Sequence, residues 1–419
     1  MNTKFYTYII YILKVFPILA SLIIIPGISS FEDNFEQAEM PADSLLEGNF
    51  EVEITFSAVG DLMCHSTQFN YARVDPDSFD FSGVYAGVRD ELQNVDFLMG
   101  NIETTFAGKK YPYSGYPIFN TPDDFLYGLK GAGFDLLFTA NNHSLDKGLF
   151  GLKRTISLMK DENIHYRGTN FTPQGKDTVE VIDIKGLKTV ILAYSYGDNG
   201  MGNNKTSEYF NLIDSLKIKQ DINKADTLGA ELVIVYLHFG LEYQKKPNYY
   251  QKDIVSRAIN YGADIILGSH PHVMQPMHYF KAKSGRIDSG FVAYSMGNFI
   301  SNQRWRYSDA GIIVNFSVIK NSVTSEVRLG NVSYLPTWVF KGNTGEKREY
   351  IIYPAELSLG DDLPQFFSDK DKWYMKESFF DTYSIVSGLD EKIQPDFLYN
   401  FSKTELDSIR LTVPESDNK

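Results

Sequence analysis

Glu51-Val52-Glu53-Ile54-Thr55-Phe56-Ser57-Ala58-Val59-Gly60-Asp61 is the stretch that decides the fold. Val52, Ile54, Phe56 and Ala58 alternate with Glu51, Glu53, Thr55 and Ser57, the period of a strand with one face in a core. The pattern stops at Gly60-Asp61. The same event recurs down the chain: an apolar strand-like run ends in a short loop of Asp, Glu, Asn or His. Val95 to Met99 runs into Asn101-Ile102-Glu103, and Asp135 to Ala140 into Asn141-Asn142-His143. Glu231 to Leu237 runs into His238-Phe239-Gly240, Asp264 to Leu267 into Ser269-His270-Pro271-His272, and Gly290 to Tyr294 into Ser295-Met296-Gly297-Asn298.

Helical patterns separate these strands. Thr121 followed by Pro122, Asp123 and Asp124 reads as a helix start with Thr121 as its cap, running to Gly131–Gly133. Leu149 to Asn163 and Tyr249 to Tyr261 are further helices, the second with Ile254, Ala258 and Ile259 on its inner side. Strands alternating with helices imply an α/β sheet, and ligand sites in such sheets collect beyond the carboxyl ends of the strands. The loops sit there. Carboxylate, amide and imidazole donors together suit divalent Mn, Fe or Zn.

Composition bounds the rest. The chain has 419 residues, 43% of them hydrophobic, which is ample for a large core. Its net charge of −13 argues against non-specific binding to nucleic acid or to anionic membrane surfaces. An anionic substrate remains compatible, because a bound cation reverses the sign locally. Cys64 is the one cysteine, so no intramolecular disulfide forms, and it reads as a packed residue.

Residues 1–30 read as a signal peptide or membrane anchor, with Lys4 and Lys14 bracketing an aromatic-rich stretch, an apolar run from Val15 to Ile25 after it, and small residues at Gly27, Ser29 and Ser30. Export to the periplasm or to an extracytoplasmic, membrane-anchored position follows. Residues 31–50 form an acidic linker, 51–340 the main domain, and 341–419 a C-terminal extension packed on it.

The loops, taken in order, resemble a known family. Gly60-Asp61-Leu62-Met63, Asn101-Ile102-Glu103-Thr104, Ala140-Asn141-Asn142-His143 with Asp146 and Gly148, His238-Phe239-Gly240-Leu241-Glu242, Gly268-Ser269-His270-Pro271-His272-Val273 and Tyr294-Ser295-Met296-Gly297-Asn298-Phe299 are similar to the CapA family of capsule and poly-γ-glutamate synthesis proteins. That family belongs to the calcineurin-like metallophosphoesterases. The resemblance implies a sandwich of two β-sheets flanked by helices, here with a C-terminal helical extension, and one or two divalent ions. It implies Asp61 and His272 on the first metal, Glu103 as the bridge where the wider superfamily has Asp, and Asn142, His238 and His270 on the second. It also implies His143 as general acid. Position 63 departs from the pattern: the superfamily has His there and this chain has Met. His65, two residues on, is the substitute to look for.

Two ions can clamp an oxyanion and generate hydroxide near neutral pH, and an imidazole can protonate the leaving oxygen. Asp146 and Glu242 are suited to orienting histidines. Arg304 and Arg306 form a basic cluster that reads either as an exposed loop or as a clamp for an anionic substrate. His165 and His278 read as surface or core histidines. The serine turn at Ser295 lacks the G-x-S-x-G elbow of a serine hydrolase.

The expected function is synthesis, export or attachment of an anionic capsule polymer by an exported protein with a metal-dependent hydrolase site. Its partners are an anionic polymer or small anionic substrate, the membrane, and other capsule-synthesis proteins. A non-catalytic scaffold of a polymer-export complex and a periplasmic metallophosphoesterase unrelated to capsule are the alternatives.

Overall fold

The alternation at Glu51 builds β1 (Glu51–Leu62), which lies inside the larger of two main sheets. In this computed structural model residues 50–203, 205–387 and 392–396 are described, so the expected leader or anchor lies outside them. Among the described residues no helix is long and apolar enough to cross a membrane.

In chain order the strands after β1 are a small hairpin, β2 (Arg73–Asp75) and β3 (Ser78–Phe79), then β4 (Phe97–Ile102), β5 (Leu136–Phe138) and β6 (His165–Arg167). They continue with β7 (Val181–Ile184), β8 (Leu187–Ser195), β9 (Leu232–His238), β10 (Ile265–Ser269), β11 (Met274–Lys281) and β12 (Ser289–Met296). The last are β13 (Asn298–Ile300), β14 (Ala310–Asn321), β15 (Val327–Asn343), β16 (Arg348–Pro354) and β17 (Gln394–Pro395). The larger sheet runs β16-β15-β14-β1-β4-β5-β6, and the smaller runs β11-β12-β10-β9-β8-β7.

The two sheets pack face to face. Alternate residues from both, including Phe56, Met99 and Phe138 on one side and Ile191, Tyr236 and Leu267 on the other, form one buried cluster. The rings of Phe138 and Tyr236 stack across this interior with centroids 4.0 Å apart, a contact worth about 0.5–1.5 kcal/mol beyond its area. Helices cover the outer faces. Asp124–Ala132 buries Phe125, Leu126 and Leu129 on the larger sheet, while Ser215–Thr227 and Tyr249–Tyr261 bury Ile218, Ile222, Ile254 and Val255 on the smaller.

Most element positions agree with the sequence reading to within a few residues. One cap does not. The helix expected to be capped by Thr121 begins at Asp124 with Asp123 as its cap. The Thr121 hydroxyl instead bonds Thr104 Oγ1 at 2.6 Å, tying the helix entry to the loop after β4. Beyond residue 340, β15 and β16 carry the larger sheet on to its edge. The helix Asp369–Val386 packs Met375, Phe379 and Phe380 in one cluster with Trp338 and Phe340.

One glycine decides how β1 ends. The pairing of β1 with β4 shifts by a residue between Val59 and Asp61, so Gly60 forms a bulge and Asp61 comes level with Asn101. A Cβ on Gly60 would lie 1.9 Å from the Gly297 carbonyl oxygen, which itself accepts from Asp61 N at 2.9 Å. Only glycine permits that approach.

Candidate metal centre

The bulge, and the strand ends beside it, bring both sheets to a single site. Asp61 sits opposite Asn101 on β4 and Asn298 on β13, and His238 ends β9 level with Ser195 on one side and Ser269 on the other. The larger sheet therefore delivers Asp61, Asn101, Glu103, Asn142 and His143. The smaller delivers His238, His270 and His272. His270 and His272 hold positive φ values of 104° and 58°, conformations that cost about 1–3 kcal/mol each for residues other than glycine. The turn is bent so that both rings point inward.

Asp61, Glu103 and His272 present ligand atoms all within 4.8 Å of one another, and all three are buried. Glu103 Oε1 has no hydrogen-bond partner among the described residues. It lies 3.8 Å from His272 Nε2 and 3.9 Å from His238 Nε2. Those spans are too long for hydrogen bonds, yet they suit atoms sharing an ion that each would approach to about 2.0–2.2 Å. Asn142 Oδ1 meets His238 Nε2 at 2.7 Å. The His270 ring lies 4.9 Å from that of His238 and 6.0 Å from that of His272, with Nδ1 buried and unpartnered. The six side chains singled out as ligands thus form one cluster, and their chemistry fits a divalent cation.

The electrostatics point the same way. Burial, and then the charge of Asp61, raise the Glu103 carboxyl well above the ordinary range. For Asp61 burial also raises the pKa, but the hydrogen bond and charge of His272 outweigh it and hold the group low. Two buried carboxylates this close cannot both ionise cheaply without a cation between them. His238 is lowered well below its usual value by burial and then by His270. His270 is pushed down to about 3 by burial and then by His272. Neutral imidazoles with free lone pairs are the form that binds metal.

Asparagines hold this cluster in register. Asn101 Nδ2 lies 2.8 Å from Asp61 Oδ1 and 3.2 Å from Glu103 Oε2, so one amide contacts both acids. Its own oxygen accepts from Asn141 at 3.2 Å. Asn199, in a left-handed turn outside every quoted motif, accepts from Asn142 Nδ2 at 3.3 Å and keeps the Asn142 oxygen toward His238. Nothing in the local sequence marks Asn199.

His143 Nδ1 contacts Asp146 Oδ2 at 2.8 Å, and the same oxygen accepts from Phe119 N at 2.7 Å. The carboxylate can only accept, so His143 Nδ1 carries hydrogen and Nε2 is left as the reacting nitrogen. Phe119 packs edge-on to the ring at 4.8 Å. Glu242 is exposed, with no hydrogen bond to a histidine among the described residues.

His65 sits apart from the Asp61–Glu103–His272 group. It caps the helix Ser66–Ala72, and its Nδ1 lies 3.2 Å from Gln68 Oε1 and 3.3 Å from Asn302 N. Met63 is buried beside Asp61. Arg304 is half-buried, with its guanidinium 5.7 Å from the Trp338 ring centre. Arg306 is held by Asp381 through two bonds of 2.7 and 2.8 Å. A substrate clamp at this cluster would have to compete with that ion pair. Burial pushes the Cys64 thiol up, away from reactivity. Three half-exposed rings surround the histidines: Tyr196 lies 4.4 Å from His270, Tyr243 6.1 Å from His272, and Trp305 5.3 Å from Tyr243.

Residues 55–303 match the family described as Bacterial capsule synthesis protein PGA_cap. The chain is 27% identical over 281 residues to a capsule biosynthesis protein, CapA, of Bacillus anthracis, covering 64% of this chain and 65% of that one. It is 26% identical over 272 residues to the PGA biosynthesis protein CapA of Bacillus subtilis strain 168, covering 64% and 68%. The match thus spans about two thirds of these relatives' length. Among solved structures it aligns with the Haemophilus influenzae NAD nucleotidase NadN at 14% identity and a TM-score of 0.42, covering 83% of this chain and 64% of that one. It aligns with a 5'-nucleotidase precursor of Thermus thermophilus at 13% and 0.41, covering 81% and 60%.

Proposed function

The chain belongs to the PGA_cap family of bacterial capsule synthesis proteins, and from that premise we propose that it acts on an anionic capsule polymer of the poly-γ-glutamate type through a metal-dependent hydrolase site. It works in the synthesis, export or attachment of that polymer, outside the cytoplasm, as the apolar N-terminal run suggests. The observation that carries the hydrolase reading is the buried, unpartnered Glu103 Oε1 facing His238 and His272.

Asp61, Glu103 and His272 would hold one divalent ion, and Asn142, His238 and His270 a second against the same Glu103. A cation so held supplies Lewis acidity and a hydroxide nucleophile near neutral pH. The chain's own part is positional. Asn101 fixes both carboxylates, and Asn199 fixes the amide of Asn142. Asp146 holds the His143 ring through Nδ1, so that the ring, once protonated at Nε2, can pass that proton to the leaving group.

Metal analysis of the purified chain tests this. At least one Mn, Fe or Zn ion per chain is expected, lost in His270→Ala. Metal-dependent turnover of p-nitrophenyl phosphate, abolished in Asp61→Ala, supports hydrolysis. Capsule polymer made normally in cells carrying either variant, but not in a deletion, would overturn the catalytic reading in favour of a scaffold.

A further inference from the structure

A cleft lies at the free edge of the larger sheet. β6 is that edge strand, and it pairs Leu136 with His165 and Phe138 with Arg167. Partners opposite one another in a sheet share a face. Leu136 and Phe138 face the interior between the sheets, so the alternation puts Arg167 at a position where an apolar side chain is the rule. Its side chain is 15% exposed. It donates to Tyr166 O at 2.8 Å and meets one carboxylate, Glu180, at 3.2 Å. That partner is 62% exposed and lies at the sheet margin. A desolvated guanidinium with a single solvated counter-ion is incompletely compensated.

Arg167 looks onto a cleft of about 680 Å³ between β6, the loop after it and β8. Lys160, Asn163, Asn170 and Thr172 also line it. The Lys160 ammonium is 5.5 Å from the Phe171 ring centre and, among the described residues, has no carboxylate in salt-bridge range. Asp221, the other acid of the lining, is answered by Lys217 Nζ at 2.7 Å. The neighbouring hollow along the same edge differs, for there Lys130 pairs with Glu162, and Lys185 with Asp96. The cleft at Arg167 thus holds one ammonium with no carboxylate partner and one guanidinium whose single counter-ion is exposed. The space far exceeds one carboxylate or phosphate group, which suits a chain bearing several anions. Gly168, in the lining, packs on Ala140, two residues before Asn142.

We propose that this cleft is an anion-binding subsite for a carboxylate-bearing chain, with Arg167 as its anchor and Lys160 as a second contact. The choice of a carboxylate chain rests on the capsule-polymer reading above, whereas the site itself rests on its geometry.

Calorimetric titration of the full chain with a penta-glutamate peptide tests it, with inorganic phosphate and penta-glutamine as separate arms. Penta-glutamate should bind and penta-glutamine should not. Arg167→Gln should weaken binding by about tenfold or more, the loss expected for one charge-assisted hydrogen bond. Lys160→Gln, a surface change that leaves the interior intact, should weaken it severalfold. Metal content measured on the same preparations should stay at the wild-type level in Arg167→Gln and Lys160→Gln, so failure of the metal reading and failure of this one are separable. Equal binding of penta-glutamine, or undiminished binding in both cleft variants, overturns the proposal. Phosphate bound through Arg167 with no glutamate binding overturns the carboxylate-chain assignment.

Discussion

Asn298 turns its amide oxygen toward His272 Nδ1 across 3.1 Å, and it cannot turn the other way. Its Nδ2 already donates to Gln303 Oε1 at 3.0 Å and to Ser308 O at 2.8 Å. Since Asp61 Oδ2 also lies 3.0 Å from the same ring nitrogen, His272 Nδ1 must carry hydrogen, which leaves the Nε2 lone pair directed at the cluster. Asn298→Ala should therefore weaken metal binding by about 10–100-fold, read by competition with a chelator. Asn298→Asp, which keeps the acceptor, should lose less.

The pairing of Asp61 with Glu103 predicts an inversion of stability. In chelator at neutral pH the wild type keeps Glu103 buried beside the charge of Asp61 with its Oε1 unpartnered, so Glu103→Gln should melt about 2 °C higher or more. With metal added the order should reverse, because the variant lacks a ligand. Scanning calorimetry with and without chelator reads both. A variant that melts lower in both conditions would remove the electrostatic argument.

His143 is predicted to act on the leaving group and not on the cation. His143→Ala should keep its bound metal while turnover of an alkyl phosphate ester falls by about 10²–10⁴-fold. A p-nitrophenyl ester, whose leaving group needs little protonation, should lose less. Equal losses on both esters would assign His143 a structural part.

Glu356 gives a pH-dependent prediction far from the centre. Burial, and then Asp396, push its carboxyl from the ordinary 4.5 up to about 7. A pKa raised on folding means that the folded chain holds the proton more tightly. The stabilisation is then complete below pH 4.5 and is lost as pH rises through about 7. The urea midpoint should fall across that window, and Glu356→Gln should flatten the fall.

Much of this was legible because strand ends advertise themselves. Six apolar runs stopping at acid, amide or imidazole loops gave the α/β class and, because topology gathers such ends at one edge, the ligand cluster, while the two-sheet sandwich came from the family resemblance. The order of the loops supplied the rest of the site's outline. Less was legible where a residue acts through tertiary contact alone. Asn199 lies in a glycine-rich turn with no pattern, and its amide partner is 57 positions earlier in the chain. The strands Val181–Ile184 and Leu187–Ser195 and the helix Ser215–Thr227 fall in a stretch that the reading passed over for want of a polar motif. Arg306 looked available in sequence because Asp381 is 75 residues away.

That half the ligands hang from one sheet and half from the other has a mechanical corollary. An ion seated there would rivet the two layers at one end of the seam, while the stacked rings of Phe138 and Tyr236 fasten them lower down. Stripping the ion would free the upper end to gape, so amide exchange at the tips of β4 and β9 should quicken long before the whole molecule melts.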